Sequence, residues 1–266
     1  MKKEPRLRKK LNDLLASWPK GMVAVHRWFE QHGVPRLLAS AYHRSGWVHR
    51  IERGAYARLE DKVDWTGGLH AVQYQLGLPV NLGGKRALEL QGYGHFVRMR
   101  EGGTVRLYGP HGTRLPTWFR RHDWGVKLVY TGADMFAGKM DKGLTERPAG
   151  DFPIRLSAPE RAMLEFLDDV PRRESFEEAR LLMEGLTTLR PNLVQDLLEA
   201  CRSVKAKRLF LFLAEESGHP WFKELDASRF DLGKGKRSIV KGGRLDAKYQ
   251  ITVEPHPERM TVREGP

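Results

Sequence analysis

Asp231, Asp246 and Lys248 stand in the order D-x14-D-x-K. This is loosely the arrangement in which two carboxylates hold Mg²⁺ and a lysine assists the attacking water of a nuclease. Three residues at so permissive a spacing also recur by chance. Other reaction chemistry is harder to build. Gly84-Lys85 invites comparison with a phosphate-cradling loop, but such a loop needs glycine five residues before the final Gly-Lys pair and Ser or Thr after it. Pro79 and Arg86 occupy those positions. A G-x-S-x-G elbow, an H-E-x-x-H pair and a G-S followed by paired aspartates are all missing. Cys201 is the single cysteine, which excludes an intrachain disulfide and a multi-cysteine zinc site. Its spacing with Leu193, Val194, Leu197 and Leu198 puts it on an apolar helix face as a buried thiol. No cofactor or metal is expected, and the chain reads as a non-enzyme.

Recognition chemistry is better represented. In VPRLLASAYHRSGWVHRIERGAYAR, residues 34–58, Pro35 suits the first turn of a helix and Gly46 can close it. Between them Leu37, Leu38, Ala41 and Tyr42 fall on one side at helical spacing, and Arg36, Ser40, His43 and Arg44 on another. The first set is expected to pack and the second to face outward. A cationic, hydrogen-bonding face of this length fits a DNA major groove about 12 Å wide. Next come WVHRIE, the turn Arg53-Gly54, and AYAR, which read as two short strands carrying Arg50, Arg53 and Arg58, a wing able to grip phosphates. The plainer alternative is a small helix plus hairpin whose arginines are merely solvated.

The elements upstream would position that helix. Leu7, Leu11, Leu14, Leu15 and Trp18 form a stripe predicting helix 1 over residues 5–18. Residues 19–21 interrupt the pattern, and Met22, Val25, Trp28 and Phe29 predict a second helical face over residues 22–32. Gly33 then supplies the sharp turn of a helix-turn-helix. Charge agrees. The chain of 266 residues carries a net charge of +13, and residues 1–60 hold 13 Lys/Arg against 5 Asp/Glu, so +8 lies in that stretch and +5 in the rest. Such a field favours polyanions. No apolar run approaches the roughly 20 residues of a membrane span, and MKKEPRLRKK lacks the apolar core of a signal peptide. A soluble, cytoplasmic protein is expected, with no membrane partner.

Beyond a polar joint at residues 60–65, the sequence predicts a helix over 66–76, then a strand, glycine turn and short helix in LPVNLGGKRALELQG. TVRLYG and VKLVYT read as strands around a loop carrying Trp118, Phe119, Arg120, Arg121, His122 and Trp124. Those aromatics are expected to fold inward. A strand turning into a helix is predicted over residues 152–172. Ser157 with Glu160, and Ser175 with Glu178, have the spacing of reciprocal helix caps. Further helices are expected over 191–201 and 204–216, the latter with LFLFL also readable as a buried strand. Near the end, SIVK, Gly242-Gly243 and AKYQITV suggest a hairpin. Around it crowd Lys234, Lys236, Arg237, Lys241, Arg244 and Lys248, which either hold an anionic partner or protect a solvated strand edge.

These words, in this order, resemble the AbiEi antitoxins of type IV toxin-antitoxin systems in the variant with a longer C-terminal domain. GVPRLLASAYHRSGWVHRIERGAYAR carries the resemblance at the N-terminal end, and LGGKRALELQGYGHF, LSAPERAMLEFLDDVP, KRLFLFLAE and GKGKRSIVKGGRLDAKYQITV extend it over most of the chain. The resemblance implies a winged-helix repressor of its own promoter, whose C-terminal domain counteracts a nucleotidyltransferase toxin of the AbiEii kind. The expected fold is α+β: a winged helix-turn-helix over residues 1–60, a larger domain of small sheet plus helical layer over 66–254, and a flexible tail over 255–266. The partners implied are double-stranded DNA and the toxin.

Overall fold

The computed structural model describes residues 4–94, 102–132, 135–138 and 141–254; the expected tail lies outside them. α1 (Glu4–Ser17) buries Leu11 and Leu14 one turn apart, with Trp18 just past its end. The next segment departs from the expected helical face. Met22 to Val25 is extended, with Ala24–Val25 forming β1, and only His26–Gln31 is helical (α2). All four residues from Met22 to Val25 are buried. A short run buried on every side has no period to tell strand from helix. Gly33 turns the chain at a φ of 69°, and α3 (Arg36–Arg44) follows, then β2 (Val48–Glu52) and β3 (Ala55–Arg58). The three strands lie in the order β1-β3-β2, with Ala24 opposite Tyr56 and Val48 opposite Arg58. Helix, strand, two helices and a two-stranded wing make a winged helix.

The chain packs as two compact units. The first comprises Met1–Leu82, Arg100–Gly132 and Thr145–Leu156; the second comprises Gly83–Met99, Ala133–Leu144 and Ser157–Pro266. The polar joint at residues 60–65 falls within the first. There α4 (Trp65–His70) continues into a π-helical turn, Ala71–Gln75. The strands β4 (Asn81–Leu82), β5 (Thr104–Gly109), β6 (Lys127–Gly132), β7 (Leu144–Ala149) and β8 (Phe152–Ser157) form one sheet in the order β6-β5-β4-β8-β7. β5 and β6 run parallel, so the segment between them crosses over instead of forming a hairpin. It contains α6 (Thr117–Arg121), numbered after α5 (Gly84–Leu90) of the second unit. Trp118, Phe119 and Trp124 are buried there, as expected, and the Trp124 indole donates to the Phe119 carbonyl at 2.8 Å.

The second unit gathers α5 (Gly84–Leu90), α7 (Pro159–Asp169), α8 (Phe176–Gly185), α9 (Pro191–Ala200) and α10 (Val204–Ser217). LFLFL is thus helical, and Leu209, Phe210, Leu211 and Leu213 are buried. Ser175 caps α8 by accepting from the Glu178 amide at 3.0 Å. The corresponding device at Ser157 and Glu160 does not form. Ala158 occupies the cap position, Ser157 Oγ donates to Glu165 at 2.8 Å, and Glu160 takes two hydrogen bonds from the Arg190 guanidinium at 2.9 and 3.0 Å. Side chains that find better-placed buried partners are drawn away from the cap. Cys201 is buried, as its spacing predicts, and burial pushes its thiol up to about 11.

The expected C-terminal hairpin is rearranged. β9 (Arg237–Ser238), β10 (Arg244–Asp246) and β11 (Ile251–Val253) lie in the order β10-β11-β9. β11 pairs antiparallel with β10 and parallel with β9. Gly242-Gly243 therefore links two strands that flank a third. Gly243 is required by proximity, because a β-carbon there would lie 2.5 Å from the Val253 carbonyl oxygen.

Candidate nucleic-acid interface

An aromatic cluster fixes α3 from beneath. Trp18 meets Trp28 at 4.9 Å and Phe29 at 5.4 Å, and Phe29 meets Tyr56 of the wing edge-on at 5.4 Å. Edge-to-face rings at such spacings add directional attraction to plain burial. Ala39 and Tyr42 of α3 complete this core. Lys10 Nζ donates to the Gly33 carbonyl at 2.9 Å, holding the turn between α2 and α3. Burial and then Arg36 lower the pKa of His26, at the start of α2, against an opposing effect of Glu30.

On the opposite face of α3, Arg36 and Arg44 are exposed and Ser40 is half-buried. His43 is also half-buried, and its Nδ1 lies in hydrogen-bond contact with the Val48 carbonyl at 3.2 Å, so one ring nitrogen is committed to the fold. Arg50 and Arg53 stand exposed on the wing. Arg36, Arg44, Arg50 and Arg53 form no ion pair among the described residues. Arg58 differs. Its guanidinium donates to the Trp18 carbonyl at 3.0 Å and lies 3.8 Å from Asp61, which ties the wing to the end of α1. Sequence periodicity misplaces one residue: Leu37, expected to pack, is 86% exposed. At roughly 100° per residue Leu37 lies about 160° around the helix from the buried Ala39 and about 140° from the buried Tyr42, so its apolar type alone puts it on the wrong face. Trp47, 46% exposed at the foot of the wing, carries no spacing signal that marks it out.

The winged helix is joined to the rest of the first unit by contacts that sequence spacing does not reveal. Gln75, 3% exposed, accepts from the Val25 amide at 2.9 Å and donates to the Val23 carbonyl at 2.7 Å. It thereby continues the edge of β1 as a further strand would. Gly67 lies against Gly21 so closely that a β-carbon on it would sit 2.1 Å from the Gly21 carbonyl oxygen.

In the second unit Lys234, Lys236, Arg237, Lys241 and Arg244 are exposed, whereas Lys248 is held by Glu215. Arg208, buried on α10, organises this loop. Its guanidinium donates to the carbonyls of Leu232 at 2.8 Å, Gly233 at 3.1 Å, Gly235 at 2.7 Å and Gln250 at 3.2 Å. Asp231 and Asp246 accept from the backbone amides of Gly233 and Tyr249, each at 2.8 Å. Among the described residues no group of three or more His, Cys, Asp or Glu is placed to hold a metal ion. Lys85 pairs with Glu178.

Residues 7–99 match the family model described as "Transcriptional regulator, AbiEi antitoxin N-terminal domain", and residues 102–254 that described as "Transcriptional regulator, AbiEi antitoxin, Type IV TA system". The chain belongs to the AbiEi antitoxin family. None of the curated proteins matches it. The crystal structure of the RV2827C protein from Mycobacterium tuberculosis is similar over 93% of this chain and 91% of that one, with a TM-score of 0.63 and 18% identity. At that identity the likeness concerns the fold, and this AbiEi chain shares its architecture over nearly its whole length. Among the described residues of the AbiEi chain, no helix is long and apolar enough to cross a membrane.

Proposed function

We propose that this AbiEi chain represses its own promoter and opposes a cognate nucleotidyltransferase toxin of the AbiEii kind. In this reading residues 1–60 read DNA, and residues 66–254 carry the antitoxin role. One observation supports the DNA half: a winged-helix frame presents four arginines that form no ion pair among the described residues. Arg36, Ser40, His43 and Arg44 approach base edges in the major groove. Arg50 and Arg53 grip phosphates, while Arg58 positions the wing through Trp18. The exposed cations at Lys234, Lys236, Arg237, Lys241 and Arg244 offer a second surface to an anionic partner, with Lys248 partly neutralised by Glu215.

Base readers and phosphate binders fail differently. Arg44→Ala is expected to relax sequence preference, at a cost of about 1–3 kcal/mol on the preferred duplex alone. Arg53→Ala is expected to weaken binding to all duplexes alike and to flatten the salt dependence by about one unit of slope. Titration of labelled duplexes at several salt concentrations distinguishes the two, and equal loss on every sequence from both variants contradicts the assignment. For the antitoxin half, a neighbouring nucleotidyltransferase gene should be toxic when expressed alone and tolerated with this chain. Toxicity undiminished by co-expression removes that half.

A further inference from the structure

The structure assigns Leu37 a part in base reading, in which its side chain packs on the C5 methyl group of a thymine in the major groove. The inference rests on the DNA-binding reading above and names what one position of that interface recognises. Leu37 is 86% exposed in the first turn of α3. Ala39 and Tyr42 of the same helix are buried, so the side chain that faces away from them has little of the protein against it. On its own helical face lie Ser40, Ala41 and Arg44, at i+3, i+4 and i+7, with Arg36 next to it in sequence.

That neighbourhood selects the occupant. An apolar protein surface docked on Leu37 would have to bury Arg36 and Arg44, which form no ion pair among the described residues. Nucleic acid meets both demands, because base edges in the major groove accept hydrogen bonds from the arginines while the groove floor offers apolar contact. On the major-groove edges of the base pairs the apolar group is the thymine methyl. α3, from Arg36 to Arg44, has a length of about 13 Å, and it can place its first turn against the bases while the wing meets the backbone.

The test selects duplexes from a random pool with the full-length protein and then replaces each thymine of the enriched site by deoxyuridine, which removes the methyl and nothing else. At least one thymine of the site is expected at which the replacement weakens wild-type binding about fourfold, the worth of one buried methyl-sized group. In Leu37→Ala the penalty at that base should fall below about 1.5-fold with salt dependence unchanged, and Leu37→Met should restore it. A tight, selective complex with no deoxyuridine penalty overturns the inference and leaves the DNA-binding reading standing. The same holds for a penalty undiminished in Leu37→Ala. If no sequence is enriched, the reading and the inference fall together.

Discussion

Gly67→Ala is expected to lower the melting temperature of the chain by roughly 10 °C. A β-carbon at this position would lie 2.1 Å from the Gly21 carbonyl oxygen. The obstacle is backbone, so no rotamer change relieves it. Either α4 must move away from the segment between α1 and β1, or that segment must move. Such overpacking costs about 3 kcal/mol or more, and a chain of this size loses roughly 2–4 °C per kcal/mol. Gly185→Ala is the matched control, because no atom lies within 4 Å of a β-carbon there and its φ is not positive. Its melting temperature should stay within about 2 °C of wild type, since removing backbone freedom from the unfolded chain is mildly stabilising. Thermal denaturation followed by circular dichroism measures both. A Gly67→Ala chain as stable as wild type shows that the two segments are not held at this distance.

Glu165→Ala is the second large effect, expected at about 3–5 kcal/mol. Glu165 is 1% exposed and receives hydrogen bonds from Arg161 Nε at 2.9 Å, from Ser157 Oγ at 2.8 Å and from the Gly84 amide at 3.1 Å. Arg161, itself 2% exposed, also donates to the Lys142 carbonyl at 2.9 Å and lies 4.8 Å from the centre of the Phe136 ring. Removing the carboxylate takes a buried acceptor from a cation, a hydroxyl and an amide at once. The double variant Arg161→Met with Glu165→Leu removes the charge along with its partner and should be less destabilised than Glu165→Ala alone, because burying apolar groups costs less than burying an unpaired charge. Denaturant unfolding of these two variants beside wild type decides it. A double variant destabilised as much as Glu165→Ala, or more, would show that the pair does not act as a unit.

Much of the winged helix is legible in the sequence, since its signals are local. Proline and glycine bound α3, and alternating residues around Arg53-Gly54 mark the wing. β1 is hidden because Met22 to Val25 are buried throughout and carry no period. Leu37 is misplaced because its hydrophobicity suggests burial, and only the packing of its neighbours reveals an apolar residue facing solvent. The same limit applies to Ser157, whose spacing to Glu160 fits a cap but whose hydroxyl is claimed by Glu165, eight residues away. Long-range partners explain most of what local signals miss. Gln75 reaches β1 across fifty residues, and Arg208 reaches four loop carbonyls between 24 and 42 residues away. Neither has a signature in composition or spacing.

An amino-terminal helix and wing that dock on duplex DNA both by sequence and by charge should reveal themselves in one titration. Fluorescence anisotropy of the full-length protein against its own promoter fragment and a scrambled duplex, from about 50 to 200 mM salt, is the most direct measurement. The promoter should bind at least roughly tenfold more tightly than the scrambled duplex at every salt concentration, with both affinities falling steeply as counterions compete. Equal affinity for the two duplexes, or affinity indifferent to salt, would contradict it.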